Sequence, residues 1–377
     1  KPYRKSVKVM ARDIELAVVA AAEAVERAGL VTKPLLEGAA EAERREPTYA
    51  PQRVGCQVGA GLIAAELDEL NSALVTAASE GVFSYAEWGE KGLHNLTPLW
   101  MLKYLPNMLA CHVTIVHDAR GPSNTITCAE ASGLLSIGES MRVIDRGDAD
   151  AAFSGGAESK LNHLALVRME MAGVAAEIGA GEDALDAVQP YAESSRGSLV
   201  GESAGILMLE CAEAAARRGA GVRSKLLGFG AGHTPAGESL DDRSDGLVIA
   251  IEAALRDAGV GADEIDAAVL GSTGMRRRDE AEAHALRRVF GERSGEVELI
   301  VLPPAIGTSV AGQGGVMAAV ASRALEEQRL PARINRGETP DDILAEAAPA
   351  RRAELRRVLV ATDSLGGQNA ALVLGRA

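Results

Sequence analysis

Apolar residues recur at helical spacing in five segments of the chain and predict helices there. The segments are residues 13–28, 133–146, 246–258, 280–290 and 315–327. Short runs of β-branched and other apolar residues, several of which end in glycine, lie between these segments. The runs predict strands over residues 53–61, 151–156, 205–210, 267–272, 299–302, 357–363 and 370–375. Helices and strands that alternate along a chain are typical of an α/β fold.

Two of these patterns occur twice. Residues 140–158, SMRVIDRGDADAAFSGGAE, read as helix, acidic turn, strand and glycines, and residues 254–274, ALRDAGVGADEIDAAVLGSTG, repeat that order. GESAGILMLE is likewise echoed by GGQNAALVLG near the end of the chain. The recurrence indicates a duplicated α/β unit. We place the seam in the charged stretch 211–224 and predict two halves, residues 1–215 and 216–377.

Composition narrows the class of partner. Of the 377 residues, 47% are hydrophobic and the formal net charge is −14. An acidic surface repels nucleic acids and anionic membranes, so neither is expected as the main partner. No apolar run approaches the roughly 18 residues that a membrane span requires, and the start of the chain lacks the apolar core of a secretory signal. The cysteines follow no CxxC spacing, which predicts neither a zinc site nor a disulfide framework, and we expect a cytoplasmic location.

Candidate chemistry is concentrated in GPSNTITCAEASGLLSIG, residues 121–138. The stretch reads as a strand, a sharp turn and the start of a helix, and such turns are where enzymes carry a nucleophile. Cys128, Glu130 and Ser132 are the candidates for the tip of the turn. Elsewhere the chain has no metal-binding His or Cys spacing, no P-loop and no dinucleotide fingerprint, so no metal and no cofactor are predicted.

Six segments resemble, in the same order, motifs of the β-ketoacyl synthases, the condensing enzymes of fatty acid and polyketide synthesis. They are residues 105–125, 137–159, 196–210, 279–291, 306–317 and 363–375. The resemblance implies a thiolase-like fold, in which duplicated α/β halves form a five-layered αβαβα arrangement within an obligate dimer. In that family an opening strand precedes the segment that here begins KPYRKS, so we expect an upstream segment.

The same motifs give the positions of the family's catalytic residues. The cysteine position lies nine residues after the glycine of the family's GP pair and holds Glu130. The two histidine positions hold Gly271 and Thr308, and the lysine position holds Pro303. Condensation needs a thiolate to accept the acyl group and histidine donors to stabilise the enolate. Since none of these groups is present, we expect no useful condensing activity.

The resemblance also implies an oxyanion site built from the backbone N–H at the nucleophile position and one in the glycine-rich turn at Leu365 and Gly366. An ionised Glu130 would compete with an acyl oxygen for these donors. At the first turn of a helix the carboxylate is stabilised by exposed N–H groups and the helix dipole. Its simplest role is therefore to cap its own helix.

Three functions remain open. The first is a non-condensing subunit similar to chain-length factors, in which glutamine is the familiar replacement for the cysteine. It would complete a homodimer, or a heterodimer with an active synthase, and shape an acyl tunnel that accepts an acyl carrier protein or an acyl thioester. The second is an enzyme that uses Glu130 in hydrolysis or decarboxylation of an acyl thioester. The third is a condensing enzyme that uses Cys128.

Overall fold

The computed structural model of the protein describes residues 2–38, 46–79, 81–234 and 239–377. The helices are α1 (Arg12–Ala28), α2 (Lys33–Gly38), α3 (Leu67–Thr76), α4 (Tyr85–Glu90), α5 (Met108–His117), α6 (Ser132–Asp145), α7 (His163–Met171), α8 (Ala184–Ala187), α9 (Ala212–Arg217), α10 (Leu240–Ala258), α11 (Arg276–Phe290), α12 (Pro303–Ile306) and α13 (Gln313–Glu327). The strands are β1 (Val54–Gly59), β2 (Ala78–Ser79), β3 (Val82–Phe83), β4 (Ser123–Ile126), β5 (Ala151–Ser159), β6 (Glu202–Glu210), β7 (Ser224–His233), β8 (Ala267–Leu270), β9 (Glu298–Ile300), β10 (Arg329–Leu330), β11 (Arg351–Arg352), β12 (Arg357–Thr362) and β13 (Gln368–Arg376).

Two larger sheets form the centre of the fold. The first has the strand order β4-β1-β5-β6, with β1 parallel to β4 and β5, and β6 antiparallel to β5. The second has the order β7-β13-β12-β8-β9, with β8 parallel to β9 and β12, and β13 antiparallel to β12 and β7. Both sheets thus combine a parallel side with an antiparallel side, which confirms the predicted duplication. The boundary between residues 215 and 216 stays a prediction.

Helices pack against the sheets in three layers. α1 and α5 cover the outer face of the first sheet, and α10 and α11 cover the outer face of the second. α6 and α13 lie between the sheets, where Leu134, Met317 and Val360 belong to one buried core. The expected five-layered αβαβα arrangement of the thiolase-like fold is therefore confirmed. Within the ranges given above, no helix has the length and apolar character that crossing a bilayer requires.

Strand β7 was not predicted, because its glycines suggest a loop. In the structure three alternate glycines of β7 face α10. A Cβ atom added at Gly228, Gly230 or Gly232 would lie 2.1–2.4 Å from a backbone carbonyl oxygen of α10. Glycine is required here because the helix backbone packs directly on the strand.

Two helices also begin earlier than their apolar pattern predicts. α10 begins at Leu240, and the Ser239 hydroxyl accepts a hydrogen bond from the Asp242 N–H in a standard N-cap. α11 begins at Arg276, four residues before the predicted start. Its first turn is polar, so hydrophobic periodicity does not reveal it.

Candidate functional site

The turn that precedes α6 has a strained backbone and one buried acidic side chain. After β4 the chain forms a 3-10 turn, Ala129–Ala131, that runs directly into the helix. Ala129 adopts a φ of +48°, and the Ser132 hydroxyl donates to the Ala129 carbonyl oxygen over 2.6 Å. Glu130, in the centre of the turn, is only 3% exposed. The strand, sharp turn and helix predicted from the sequence thus present Glu130 to the interior.

Glu130 forms a buried ion pair with Arg278. Its Oε1 accepts a hydrogen bond from Arg278 Nη1 at 2.5 Å, and the Arg278 side chain is 10% exposed. The other edge of the guanidinium group donates to both carboxylate oxygens of Asp363, at 2.7 and 2.9 Å. Burial opposes the charged form of Arg278, but the two carboxylates outweigh it and raise the pKa of the guanidinium well above its ordinary value. We call Glu130, Arg278 and Asp363 the ion triad.

The second oxygen of Glu130 faces the glycine-rich turn after β12. The Leu365 N–H donates to Glu130 Oε2 over 3.3 Å, while Leu365 as a whole residue is 50% exposed and Gly366 beside it is exposed. Asp363 in the same turn is held by Arg278. The backbone donor at Leu365 is therefore already engaged by a protein carboxylate.

Gln313 joins Thr308 and Gly271, the two positions that the sequence motifs predict for histidine. The Thr308 hydroxyl donates to Gln313 Oε1 over 3.1 Å, and Gln313 Nε2 donates to the Gly271 carbonyl oxygen over 3.0 Å. All three residues are buried. Pro303 is also buried, at the first position of α12, where its missing N–H and fixed φ suit the helix start. Its side chain can neither donate nor accept a hydrogen bond.

Positive φ angles at non-glycine residues recur around these positions. Ala129, Ser272 and Val310 have φ values of +48°, +45° and +52°. Each lies within two residues of a predicted site position. Such conformations cost about 1–3 kcal/mol each and persist where surrounding structure enforces them, commonly at active sites. The surrounding structure therefore enforces a strained backbone beside three of the predicted site positions.

Two buried acidic side chains of α11, the helix that begins with Arg278 in its first turn, hold the loop that carries Gly271. Glu282 accepts hydrogen bonds from the Gly271 N–H at 2.9 Å and from the Tyr191 hydroxyl at 2.7 Å. Asp279 accepts from the backbone N–H groups of Tyr191 and Gly274, both at 3.0 Å. Burial raises the pKa of Asp279 to about 7 and that of Glu282 to about 8. Their many donors fix the loop in place.

Cys128 and Ser132 do not occupy the tip of the turn. Cys128 is partly buried against the core between the sheets, and burial raises the pKa of its thiol. Its backbone N–H donates to the Ser132 hydroxyl over 2.8 Å. A raised thiol pKa lowers the fraction of reactive thiolate. The Ser132 side chain is used within the turn itself.

Sequence reasoning missed Arg278, Asp363 and Gln313. The available signal for Arg278 was the run of three arginines at 276–278, because positive charge at a helix N-terminus opposes the helix dipole. Gln313 and Asp363 gave no comparable signal. In the part of the chain that the structure describes, no group of His, Cys, Asp and Glu is arranged to hold a metal ion.

Comparison with known proteins agrees with this architecture. The family model for the β-ketoacyl synthase N-terminal domain matches residues 3–215, and the model for the C-terminal domain matches residues 225–336. The chain is 28% identical to 3-oxoacyl-[acyl-carrier-protein] synthase 2 of Staphylococcus aureus, over 98% of this chain and 85% of that protein. It is also 28% identical to the synthase of that name from Vibrio cholerae, over 99% of this chain and 84% of that protein.

Solved structures give the same result. The ishigamide ketosynthase/chain length factor is 26% identical with a TM-score of 0.79, over 98% of this chain and 83% of that one. A β-ketoacyl synthase from Burkholderia phymatum STM815 is 22% identical with a TM-score of 0.81, over 99% of this chain and 84% of that one, which supports the fold alone. Since the N-terminal family model by itself spans more than half of the residues, the chain belongs to the β-ketoacyl synthase family.

Proposed function

We propose that this protein is a non-condensing subunit of the β-ketoacyl synthase type, similar to chain-length factors, that acts in fatty acid or polyketide biosynthesis. The observation that carries the proposal is the buried ion pair between Glu130 and Arg278, at the position that the sequence motifs assign to the nucleophile. A carboxylate held by a charge-assisted hydrogen bond is a poor nucleophile, and attack on a thioester would first have to break that bond. Acyl transfer to this side chain is therefore disfavoured.

The oxyanion site supports the same proposal. Glu130 Oε2 accepts from the Leu365 N–H, so a bound acyl group would have to displace a negative charge from that donor. Removing a single oxyanion donor typically costs about 10²–10³ in rate. We propose that Leu365 and Gly366 contact the acyl substrate without forming a working oxyanion site.

The positions of the histidines support it as well. Gly271 has no side-chain donor, and the Thr308 hydroxyl already donates to Gln313. No side chain at these positions is free to stabilise the enolate of a malonyl thioester. In this proposal, decarboxylative condensation lacks both its nucleophile and the two hydrogen-bond donors that would stabilise the enolate.

A subunit of this kind needs a partner. One similar structure carries the description ketosynthase/chain length factor, and another, 19% identical, that of a type II PKS acyl-carrier protein in complex with its ketosynthase. We propose that the present chain forms a dimer, most simply with an active synthase, and contributes one wall of the tunnel that accepts the growing acyl chain. Acyl carrier protein is the proposed partner that delivers the substrate, and the cytoplasm is the proposed location.

The test compares the isolated protein with the protein co-expressed with a β-ketoacyl synthase encoded beside it. Alone, with acyl and malonyl carrier protein, it should give less than about 10⁻³ of the condensation rate of an active synthase, as the lost donors predict. Together, the two chains should co-purify at a 1:1 ratio, and the product chain length should change. A homodimer that never pairs with such a synthase and leaves its products unchanged would overturn the proposal.

The same assay separates the other two functions. Thioester hydrolysis or decarboxylation by the isolated protein, abolished by Glu130→Ala, would establish a Glu130 enzyme. Condensation abolished by Cys128→Ser, with cerulenin-type labelling of that thiol, would establish a condensing enzyme. The matched control is Cys211→Ser, since Cys211 lies between β6 and α9, outside the turn that follows Cys128.

A further inference from the structure

Three arginines line an open cavity at the place where α10 and α11 begin. The cavity has a volume of about 500 Å³, and the described residues that line it are Arg243, Arg276, Arg277 and Glu280. Arg243 lies in the first turn of α10, and the other three lie in the first five residues of α11. Arg278 comes next in the chain, but its side chain belongs to the buried ion triad. We call Arg243, Arg276 and Arg277 the arginine cluster.

The side chains at this cavity carry an excess of positive charge. Glu280 is the single acidic residue among the described residues that line it, against three arginines. Its carboxylate is 48% exposed and lies 3.3 Å from Arg276 Nε and 3.8 Å from Arg243 Nη2. The Arg277 guanidinium is exposed and bonds to no other residue within the described ranges. One carboxylate therefore balances only a third of the positive charge.

Neighbouring carboxylates do not balance the remainder. On α10, Asp241 is hydrogen-bonded to His284 at 2.7 Å and Asp245 accepts from Arg288 at 2.5 Å, and neither aspartate lines the cavity.

The helix itself also disfavours this arrangement. The N-terminal end of a helix carries positive partial charge, so Arg276 and Arg277 oppose the dipole of α11. In a chain of net charge −14, the stability of α11 does not account for arginines at these positions. A bound anion would compensate both the arginines and the helix end.

We infer that the arginine cluster binds the terminal phosphate group of a small molecule. Such a group carries about two negative charges and three acceptor oxygens at neutral pH. Its charge equals the excess at the cavity, and its three oxygens match three guanidinium groups, whereas a carboxylate offers two oxygens. Guanidinium groups are planar donors that suit phosphate geometry. This site lies outside the ion triad and does not depend on the proposed pairing with a synthase.

Inorganic phosphate, dimethyl phosphate and succinate are the probes. Dimethyl phosphate has one negative charge and two free oxygens, as in the phosphodiesters of nucleic acids, phospholipids and carrier proteins, and succinate represents the carboxylates of an acidic protein surface. In titration calorimetry near pH 8 at constant ionic strength, phosphate should bind at least about tenfold more tightly than either of the others. Equal binding of dimethyl phosphate or of succinate would overturn the assignment to a terminal phosphate.

Two substitutions with opposite expected effects test the place of binding. Arg277→Gln, at an exposed and unpaired side chain, should weaken phosphate binding at least about tenfold. Glu280→Gln should strengthen it about two- to fivefold, because the competing carboxylate is removed. Arg256→Gln, at an exposed arginine in the last turn of α10, is the matched control and should leave the affinity unchanged.

The opposite signs separate a phosphate site from a structural role of these side chains. Unchanged phosphate affinity in a folded Arg277→Gln variant, or weaker binding in Glu280→Gln, would overturn the inference. In a crystal soaked with phosphate, its oxygens should lie about 2.7–2.9 Å from guanidinium nitrogens of at least two arginines of the cluster. Phosphate bound only at another place would equally overturn it.

Discussion

The turn before α6 and the turn before α13 share one backbone plan. Each is a short 3-10 turn, Ala129–Ala131 in the first and Val310–Gly312 in the second. The first residue of each has a positive φ, +48° and +52°. Each continues into a helix buried between the sheets, and a Cβ at Gly133 of α6 would lie 2.9 Å from the Gly315 backbone nitrogen of α13.

The side chains at the two turns differ completely. The first turn carries a buried charge, Glu130, neutralised by Arg278. The second carries a neutral network in which Gln313 joins Thr308 to Gly271. Packing between the sheets fixes the backbone at both places, so the side chains can change while the strained conformation persists. We therefore expect a side-chain substitution at either turn to change its polar contacts without changing its backbone conformation.

The largest effect should come from breaking the ion triad. Arg278→Met leaves Glu130 and Asp363 as uncompensated carboxylates, and removing one partner of a buried pair costs about 3–5 kcal/mol. Urea unfolding should show this loss in the free energy of unfolding. Adding Glu130→Gln and Asp363→Asn should recover much of it, because no unpaired charge then remains.

Arg276→Met is the matched control for this prediction. Arg276 lies two residues away, with a side chain 59% exposed in its ion pair with Glu280. An exposed pair of this kind contributes about 0–1 kcal/mol. Similar losses for Arg276→Met and Arg278→Met would contradict a charged core at the first turn.

A smaller effect is expected at the neutral turn. Gln313→Leu leaves the Thr308 hydroxyl and the Gly271 carbonyl oxygen without their partner, which should cost about 1–3 kcal/mol. Gln52→Leu, at an exposed glutamine, should change the free energy of unfolding by less than about 0.5 kcal/mol. If Gln313→Leu costs as much as Arg278→Met, the contrast between a charged and a neutral turn is wrong.

A buried acidic side chain outside the neutral network, Glu158, also contacts the second turn. Its titration makes the stability of the protein depend on pH. Glu158 Oε2 accepts from the Ala311 N–H at 2.7 Å and the side chain pairs with Lys160, yet burial raises the pKa of Glu158 from 4.5 to about 7. The folded state therefore holds this proton more tightly than the unfolded state. This tighter proton binding adds to the free energy of unfolding. The added stability is complete below about pH 4.5 and is lost as pH rises through about 7.

Glu158→Gln should flatten this part of the pH profile. Between pH 5 and pH 7 the variant should lose about 1–2 kcal/mol less stability than the wild type, at about 1.4 kcal/mol for each pKa unit. The Lys160 ion pair exists only while Glu158 is ionised, so its loss in the variant belongs to the same slope difference. Parallel curves for variant and wild type would show that Glu158 does not titrate in this range.

The smallest effect concerns the strained backbone. Ala129→Gly relieves a left-handed conformation that costs about 1–2 kcal/mol and adds an entropic cost of about 0.5–1 kcal/mol, so a net gain of up to about 1.5 kcal/mol is expected. Val310→Gly should instead destabilise the protein, because Val310 is 8% exposed and its packing is lost. A loss at both turns would mean that the conformation of Ala129 carries no strain.

Local pattern was sufficient for five helices, α1, α6, α10, α11 and α13, and for the strands of the two larger sheets other than β7, whereas α5 and the shorter helices were not predicted. The predicted helix over residues 13–28 is observed as Arg12–Ala28, and the one over residues 133–146 as Ser132–Asp145. These helices bury apolar side chains, so apolar residues recur at helical spacing along their sequences. The glycine-rich strand β7 was not predicted, because its glycines are required by close packing against α10. The first turn of α11 was not predicted, because it is polar and its Arg278 pairs with the distant Glu130.

The sequence by itself determined the alternation of elements, the duplication, and the positions occupied by Glu130, Gly271, Thr308 and Pro303. Their functional roles stay predictions. Only the tertiary structure decided which side chains meet them. Arg278 lies 148 residues from Glu130 and 85 from Asp363 along the chain, and Gln313 lies 42 from Gly271. No local spacing encodes such contacts, because they form only when the loops of the second sheet pack against the turns that begin α6 and α13.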